Sequence, residues 1–399
     1  MAPPERQSQQ RFPELDGIRG LAILGVLCSH GVTAAGIFTG AHIPFAEKLL
    51  KYLMVPLWGG VDLFFVLSGF LITGILLRTK TAQNYFISFY SRRILRIFPI
   101  YYLVLASSLI LGHFWALFAI RLPQWTSWKV AYFLYLQNWP IFWHGEKIMG
   151  GQWGVYWSLA VEEQFYFVWP LVVLLLREET VALVCYIGLA CTLPLRILLS
   201  CCYFGDNFGL AQITSSRVDG LFLGAACAIY MFRHRKPVPM PWIVASASMG
   251  AIIMGYITVF HHKELVGTGF WMTTFGISGF ALLSGALVAV SQHHLGSIDR
   301  VLTIHSLRWA GKYSYGIYVY HLFIFLPVRY LGNRIELWTR LNTLERVLVF
   351  LLESIIVFAV AKLSYDLFES RFLRLKSHFR PRQGITQELC HPKAPDLDA

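Results

Sequence analysis

The chain has 399 residues, of which 56% are hydrophobic and 14% charged, and its formal net charge is +12. A soluble domain carries about 45–50% apolar and about 25% charged residues, so the apolar surplus has to face lipid, which excludes an ordinary globular protein with one core and a wet surface. In a membrane chain the positive balance sets orientation through the loops and favours anionic headgroups or phosphates rather than nucleic acid.

A span needs about 20 mainly apolar residues. In chain order such stretches fall at 16–38, 55–78, 94–112, 153–176, 180–203, 216–233, 241–260, 269–291, 308–331 and 343–366. Residues 1–12 form a polar tail. The apolar stretch after it has no small-residue cleavage site and reads as a retained helix rather than a removed signal peptide. Segment 113–143 is aromatic but broken by Arg121, Pro123, Lys129, Gln137, Asn138 and Pro140, which predicts an interfacial or re-entrant piece. Ten spans with the N-terminus inside put Arg78, Lys80, Arg92, Arg93, Arg96, Arg177, Arg233 and Arg235 in cytoplasmic loops. The outer loop with Arg329, Arg334, Arg340 and Arg346 departs from this bias. Counting 113–143 as a span moves every later loop to the less favourable side. The predicted fold is all-α: a polytopic transmembrane bundle of about ten spans over 13–380, both termini cytoplasmic, with 381–399 as a disordered tail. The sequence sets no oligomeric state.

Ionisable groups inside spans are costly and mark function by default. Arg19 and His30 lie eleven residues apart on the first helix, about three turns plus 20°, so they share one face about 16 Å apart. They read either as a snorkelling Arg with a core His or as a cation and a base linking the two sides. Glu162 and Glu163 sit among aromatics in WSLAVEEQFYF. Adjacent carboxylates cannot share one helix face, so one is expected to face a cavity while the other meets a structural partner. Asp62 and Ser68 lie on a Gly-rich helix. Asp62 either serves that helix's N-terminus or joins the site, and Ser68 either bonds its own backbone or binds substrate. Arg92, Arg93 and Arg96 either anchor topology or form a phosphate clamp. Pro99 follows them and predicts a bend. Arg217 and Asp219 read as a local ion pair or an acceptor contact. Tyr318 and His321 are deep in the 308–331 span, with His321 as a core or substrate-contacting histidine. The seven cysteines form no C-x-x-C pair. His261–His262 and His293–His294 have no ligand partners at metal spacing, so no metal site is predicted.

Six motifs in order, FPELDGIRGLAILGVLCSHG, GVDLFFVLSGFLI, SRRILRIFPIYY, WSLAVEEQFYF, RVDGLFLGA and YSYGIYVYH, resemble the acyltransferase-three family of polytopic bacterial membrane O-acyltransferases over roughly residues 13–372. No segment resembles the extracytoplasmic esterase-like domain that some members carry. The resemblance implies a multi-pass protein of the bacterial cytoplasmic membrane. The donor it implies is cytoplasmic acyl-CoA, usually acetyl-CoA, with no permanently bound cofactor. The acceptor it implies is a glycan or a glycosylated small molecule. It makes His30 the catalytic base and Arg19 a donor-binding residue, and it places Arg92, Arg93 and Arg96 on CoA phosphates.

A neutral imidazole can deprotonate a sugar hydroxyl as it attacks the thioester carbonyl. Glu162, Glu163 or Asp62 is the expected partner that fixes the tautomer. Arg19, Ser68 or a tyrosine of the 308–331 span would serve the oxyanion. Direct transfer is expected, with an acyl-His intermediate as the other route. The competing reading is a transporter or flippase for a glycan or lipid-linked substrate, since buried charges also mark transport pathways; the absence of visible repeats weighs against it.

Overall fold

The structure is a computed structural model that describes residues 13–34, 51–110, 129–144, 151–202, 207–266 and 269–382. The principal helices are α1 (Pro13–Ala34), α2 (Gly60–Thr79) and α3 (Tyr85–Ile110), then the short α4 (Lys129–Phe133) and α5 (Asn138–His144). They continue with α6 (Trp157–Leu175), α7 (Glu178–Cys202), α8 (Val218–His234), α9 (Met240–Phe260) and α10 (Ile277–Val290). The last are α11 (Gly296–Leu302), α12 (His305–Arg334), α13 (Thr343–Ser364) and α14 (Ser370–Leu375). No strand occurs among the described residues, and the chain is an all-α polytopic bundle. Within the described residues, each apolar stretch named above falls mainly on helix.

Among the described residues, seven helical stretches are long and apolar enough to cross a membrane, by length and composition alone. The remaining expected spans lie on α3, α8 and α12. Of these, α3 carries Arg92, Arg93 and Arg96, α8 is only 17 residues long, and α12 opens on a polar turn. Their inward faces, not their mean apolarity, fix them in the bundle. On the outside, α9 and α13 expose Ile252, Val259, Leu348, Ile355 and Leu363, the reverse of a soluble surface and the composition expected against lipid.

Small residues set the closest helix contacts. A Cβ on Gly20 would stand 1.9 Å from the Leu307 carbonyl oxygen, and one on Gly69 would stand 1.9 Å from that of Leu221. Backbones therefore touch where α1 meets α12 and where α2 meets α8, the usual packing device in lipid. These two pairings form the longest seams of the bundle. The helix α3 runs through Pro99 without interruption from Tyr85 to Ile110.

The short helices α4 and α5 replace the single span that 129–144 would need. Tyr135 turns the chain between them at φ 54°. Gln137 and Asn138 are buried, with Gln137 Nε2 donating to the Tyr156 carbonyl at 2.7 Å and Asn138 Nδ2 to Thr214 Oγ1 at 2.9 Å. The polar side chains at this break in helix are thus paired inside the protein. Residues 113–128 of the predicted re-entrant piece lie outside the described residues, as do the tails 1–12 and 383–399. The end of the described chain docks on the α2–α3 connection: Asn84 Nδ2 donates to the Arg380 carbonyl at 2.9 Å and Arg382 N to Asn84 Oδ1 at 2.8 Å.

Candidate active site

Helices α1, α2, α3, α6 and α12 line a cavity of about 110 Å³. Arg19, Arg93 and Arg96 line one end of it. Arg19 Nη1 bonds Asp16 Oδ1 at 2.8 Å, one turn earlier on α1. The Arg93 guanidinium lies 5.4 Å from the centre of the Tyr166 ring, a cation–π arrangement that steadies the charge in an apolar wall. Arg92, on the neighbouring face of α3, does not line the cavity and faces Arg380 instead. The cluster therefore divides: Arg93 and Arg96 point inward and Arg92 points away.

The middle of the cavity holds Ser68, Tyr166, Glu162 and Glu163. Ser68 and Tyr166 bond each other through their hydroxyls, and Glu162 interacts with both and with Arg93. Glu163 Oε1 is buried with no hydrogen-bond partner. Both carboxyls border the same space, which the expected split between a cavity face and a structural face did not foresee; the cavity is wide enough to meet two neighbouring faces of α6. At the far end, Tyr318 OH donates to the Val155 carbonyl at 2.8 Å and stands 2.5 Å from Ser158 Oγ.

One turn beyond Tyr318 on α12 lies His321, fully buried. Its Nδ1 is 2.7 Å from the Tyr318 carbonyl oxygen and its Nε2 is 3.0 Å from His30 Nδ1. The rings stack 5.1 Å apart at 9°. A carbonyl oxygen only accepts, so His321 Nδ1 carries a hydrogen. When both rings are neutral, His321 Nε2 accepts from His30 Nδ1–H, and His30 Nε2 keeps a free lone pair. The expected carboxylate partner is corrected here: the described hydrogen bonds give His30 a second imidazole, because glycines bring α1 and α12 into backbone contact. His30 itself does not line the cavity; Tyr318 and His321 stand between.

Asp62, Arg217 and Asp219 occupy neither the cavity nor the histidine pair. Asp62 Oδ1 accepts from Arg217 Nη1 at 2.8 Å, and Arg217 lies 4.8 Å from the centre of the Trp157 ring. Asp219 Oδ2 accepts from Arg196 Nη2 at 2.6 Å. The predicted local pair of Arg217 with Asp219 is thus replaced by two cross-helix pairs, since tertiary packing brings each a closer partner than its sequence neighbour. Arg196 escaped the sequence reading, although an arginine inside the apolar run TLPLRILL was itself the signal. Glu369 and Lys376 were also missed. Glu369 is turned inward by a π-helical turn, Tyr365–Glu369, and faces Arg96; Lys376 lies among Arg19, Arg92, Arg93 and Arg96. The six described cysteines are all free.

A family model described as an acyltransferase domain matches residues 12–364. The chain is 26% identical over 336 residues to the peptidoglycan O-acetyltransferase OatA of Listeria monocytogenes, covering 79% of this chain and 50% of that protein. It is 27% identical over 349 residues to the putative peptidoglycan O-acetyltransferase YrhL of Bacillus subtilis, covering 82% and 51%. Against the O-acetyltransferase OatA of Staphylococcus aureus it is 25% identical over 389 residues, covering 91% and 57%. The chain thus spans about half the length of the curated relatives it matches. No solved structure matches it.

Proposed function

This chain belongs to the acyltransferase-domain family, and from that premise we propose that it is a membrane O-acyltransferase moving an acyl group, acetyl in the first instance, from cytoplasmic acyl-CoA to a hydroxyl of a glycan. The names of the relatives favour a cell-wall glycan as acceptor. The bacterial cytoplasmic membrane is the compartment in which such a donor and such an acceptor lie on opposite sides.

The reading rests on one observation: a cavity that begins at inward-facing cations ends one helical turn from a histidine pair with a free ring nitrogen. Arg19, Arg93 and Arg96 suit the phosphates of CoA, with bidentate geometry available to each guanidinium. The pantetheine arm would follow the cavity past Ser68 and Tyr166. To deliver the thioester to His30, the Tyr318 side chain has to leave its bonds to Ser158 and Val155.

Chemistry then follows from the tautomers. His30 Nε2 takes the proton of the acceptor hydroxyl while its oxygen attacks the thioester carbonyl. The resulting imidazolium keeps Nδ1–H directed at His321 Nε2, so the second ring stabilises the charge as the triad carboxylate does elsewhere. The tetrahedral intermediate collapses, the C–S bond breaks, and the imidazolium proton goes to the departing thiolate. Direct transfer requires no acyl-enzyme.

The test is acyl-CoA-dependent release of free CoA thiol by the purified protein, with mass spectrometry of the acceptor glycan. Release that is coupled to a gain of one acyl mass, and lost in His30→Ala, supports the reading. Wild-type turnover in His30→Ala removes His30 from the mechanism. Substrate movement in vesicles without thiol release points to the transporter class.

A further inference from the structure

Glu14, in the first turn of α1, is nine-tenths buried, and no described hydrogen bond or ion pair engages its carboxylate. The fold brings two further ligand-type groups to the same spot. One carboxylate oxygen of Glu14, a ring nitrogen of His294 and a carboxylate oxygen of Asp299 all lie within 4.8 Å of one another. Asp299 Oδ1 is likewise buried with no hydrogen-bond partner. His294 sits at φ 49° just after the 3₁₀ turn Ser291–His293, and its neighbour His293 is fixed by Nε2 to the Val238 carbonyl at 2.8 Å. The loop is therefore anchored while the His294 ring stays accessible.

We propose that Glu14, His294 and Asp299 form a binding site for a divalent transition-metal ion of the zinc class, tying the start of α1 to the α10–α11 connection. One imidazole nitrogen and two carboxylate oxygens suit Zn²⁺, Mn²⁺ or Fe²⁺, whereas Ca²⁺ and Mg²⁺ take all-oxygen shells. Ligands about 2.0–2.1 Å from zinc stand roughly 3.4 Å apart across a tetrahedral angle. The three groups have to close by about an ångström to reach that spacing, which side-chain rotation of the exposed His294 supplies. The exposed side leaves a fourth position for water. Linear spacing hid this set, because Glu14 and His294 lie far apart in the sequence.

The position gives the ion a role. Five residues on, α1 carries Arg19, and Gly17 packs directly under the Leu302 carbonyl at the end of α11. An ion bridging Glu14 to Asp299 would clamp the helix that bears both Arg19 and His30 against α11.

Full-length protein in lipid nanodiscs, stripped with chelator, would be titrated with Zn²⁺ alone, Mn²⁺ alone and Mg²⁺ alone. Metal per chain is read by elemental mass spectrometry and thermal unfolding by tryptophan fluorescence. The expected result is one Zn²⁺ or Mn²⁺ per chain with a raised melting temperature. His294→Ala and Asp299→Asn are each expected to weaken binding tenfold or more. Because His294 is exposed, its alanine variant retains the fold. Absence of bound ion in the wild type overturns the proposal, as does full occupancy in His294→Ala. Equal protection by Mg²⁺ in wild type and His294→Ala overturns the metal class.

Discussion

His30 Nδ1 lies 3.0 Å from His321 Nε2, and the two rings stack within 9° of parallel. The contact joins residues 291 positions apart. It exists because glycines let α1 and α12 approach to backbone contact, which fixes their register as well as their distance. A slip of one residue would rotate either imidazole by about 100° and separate them. The base in the proposed chemistry thus depends on helix packing far from the ring itself.

Removing His30 is expected to lower kcat by about 10²–10⁴-fold, the usual contribution of a positioned general base. His321 acts through His30, so His321→Ala is expected to reduce kcat by about 10–100-fold, corresponding to one lost buried hydrogen bond, with donor KM unchanged. His321→Asn, whose amide oxygen can still accept from Nδ1–H, recovers part of that loss. An alanine variant that unfolds rather than slows, or no recovery in asparagine, points to a packing role. Steady-state kinetics alongside melting curves make the distinction.

Among the arginines, position relative to the cavity predicts the kinetics. Arg93→Ala and Arg96→Ala are each expected to raise donor KM by roughly tenfold or more, at about 1.5–3 kcal/mol per charged hydrogen bond. Arg92→Ala, which faces Arg380 outside the cavity, should change KM little. Equal effects at all three positions would mean that the cluster acts as an anchor of orientation. Thiol-release assays at varied acyl-CoA concentration measure this directly.

Asp62 and Asp219 carry stability. Asp62→Asn or Asp219→Asn leaves a buried arginine without its counter-ion, at a cost of about 3–5 kcal/mol. The expected outcome is a lower melting temperature with turnover per folded molecule close to wild type. Asp62→Asn combined with Arg217→Met should regain part of the melting temperature, since the uncompensated charge is gone. A large kcat loss with unchanged melting would return Asp62 to the chemistry.

Backbone contact makes one glycine far more sensitive than another. Gly69→Ala would place a methyl 1.9 Å from the Leu221 carbonyl oxygen, and this variant is expected to yield no monodisperse protein. Gly255 has nothing within 4 Å of its would-be Cβ. Gly255→Ala should leave the melting temperature unchanged or raise it, through a stabilisation of up to about 1 kcal/mol. Size-exclusion chromatography with fluorescence detection compares the two.

The sequence by itself determined the architecture, because spans are local: twenty apolar residues form a helix in lipid whatever lies beside them. It likewise marked Arg19, His30, Arg93, Arg96, Glu162 and Glu163, since a charge inside an apolar run is costly and visible without knowing the neighbours. Partnership was decided only by the tertiary structure. Which imidazole meets His30, that Asp62 takes Arg217 and Asp219 takes Arg196, that Arg92 turns away, and that Glu14 reaches His294 all depend on helix register and rotation. Those are set by steric contact between surfaces distant in the chain, and spacing along one helix carries no information about them.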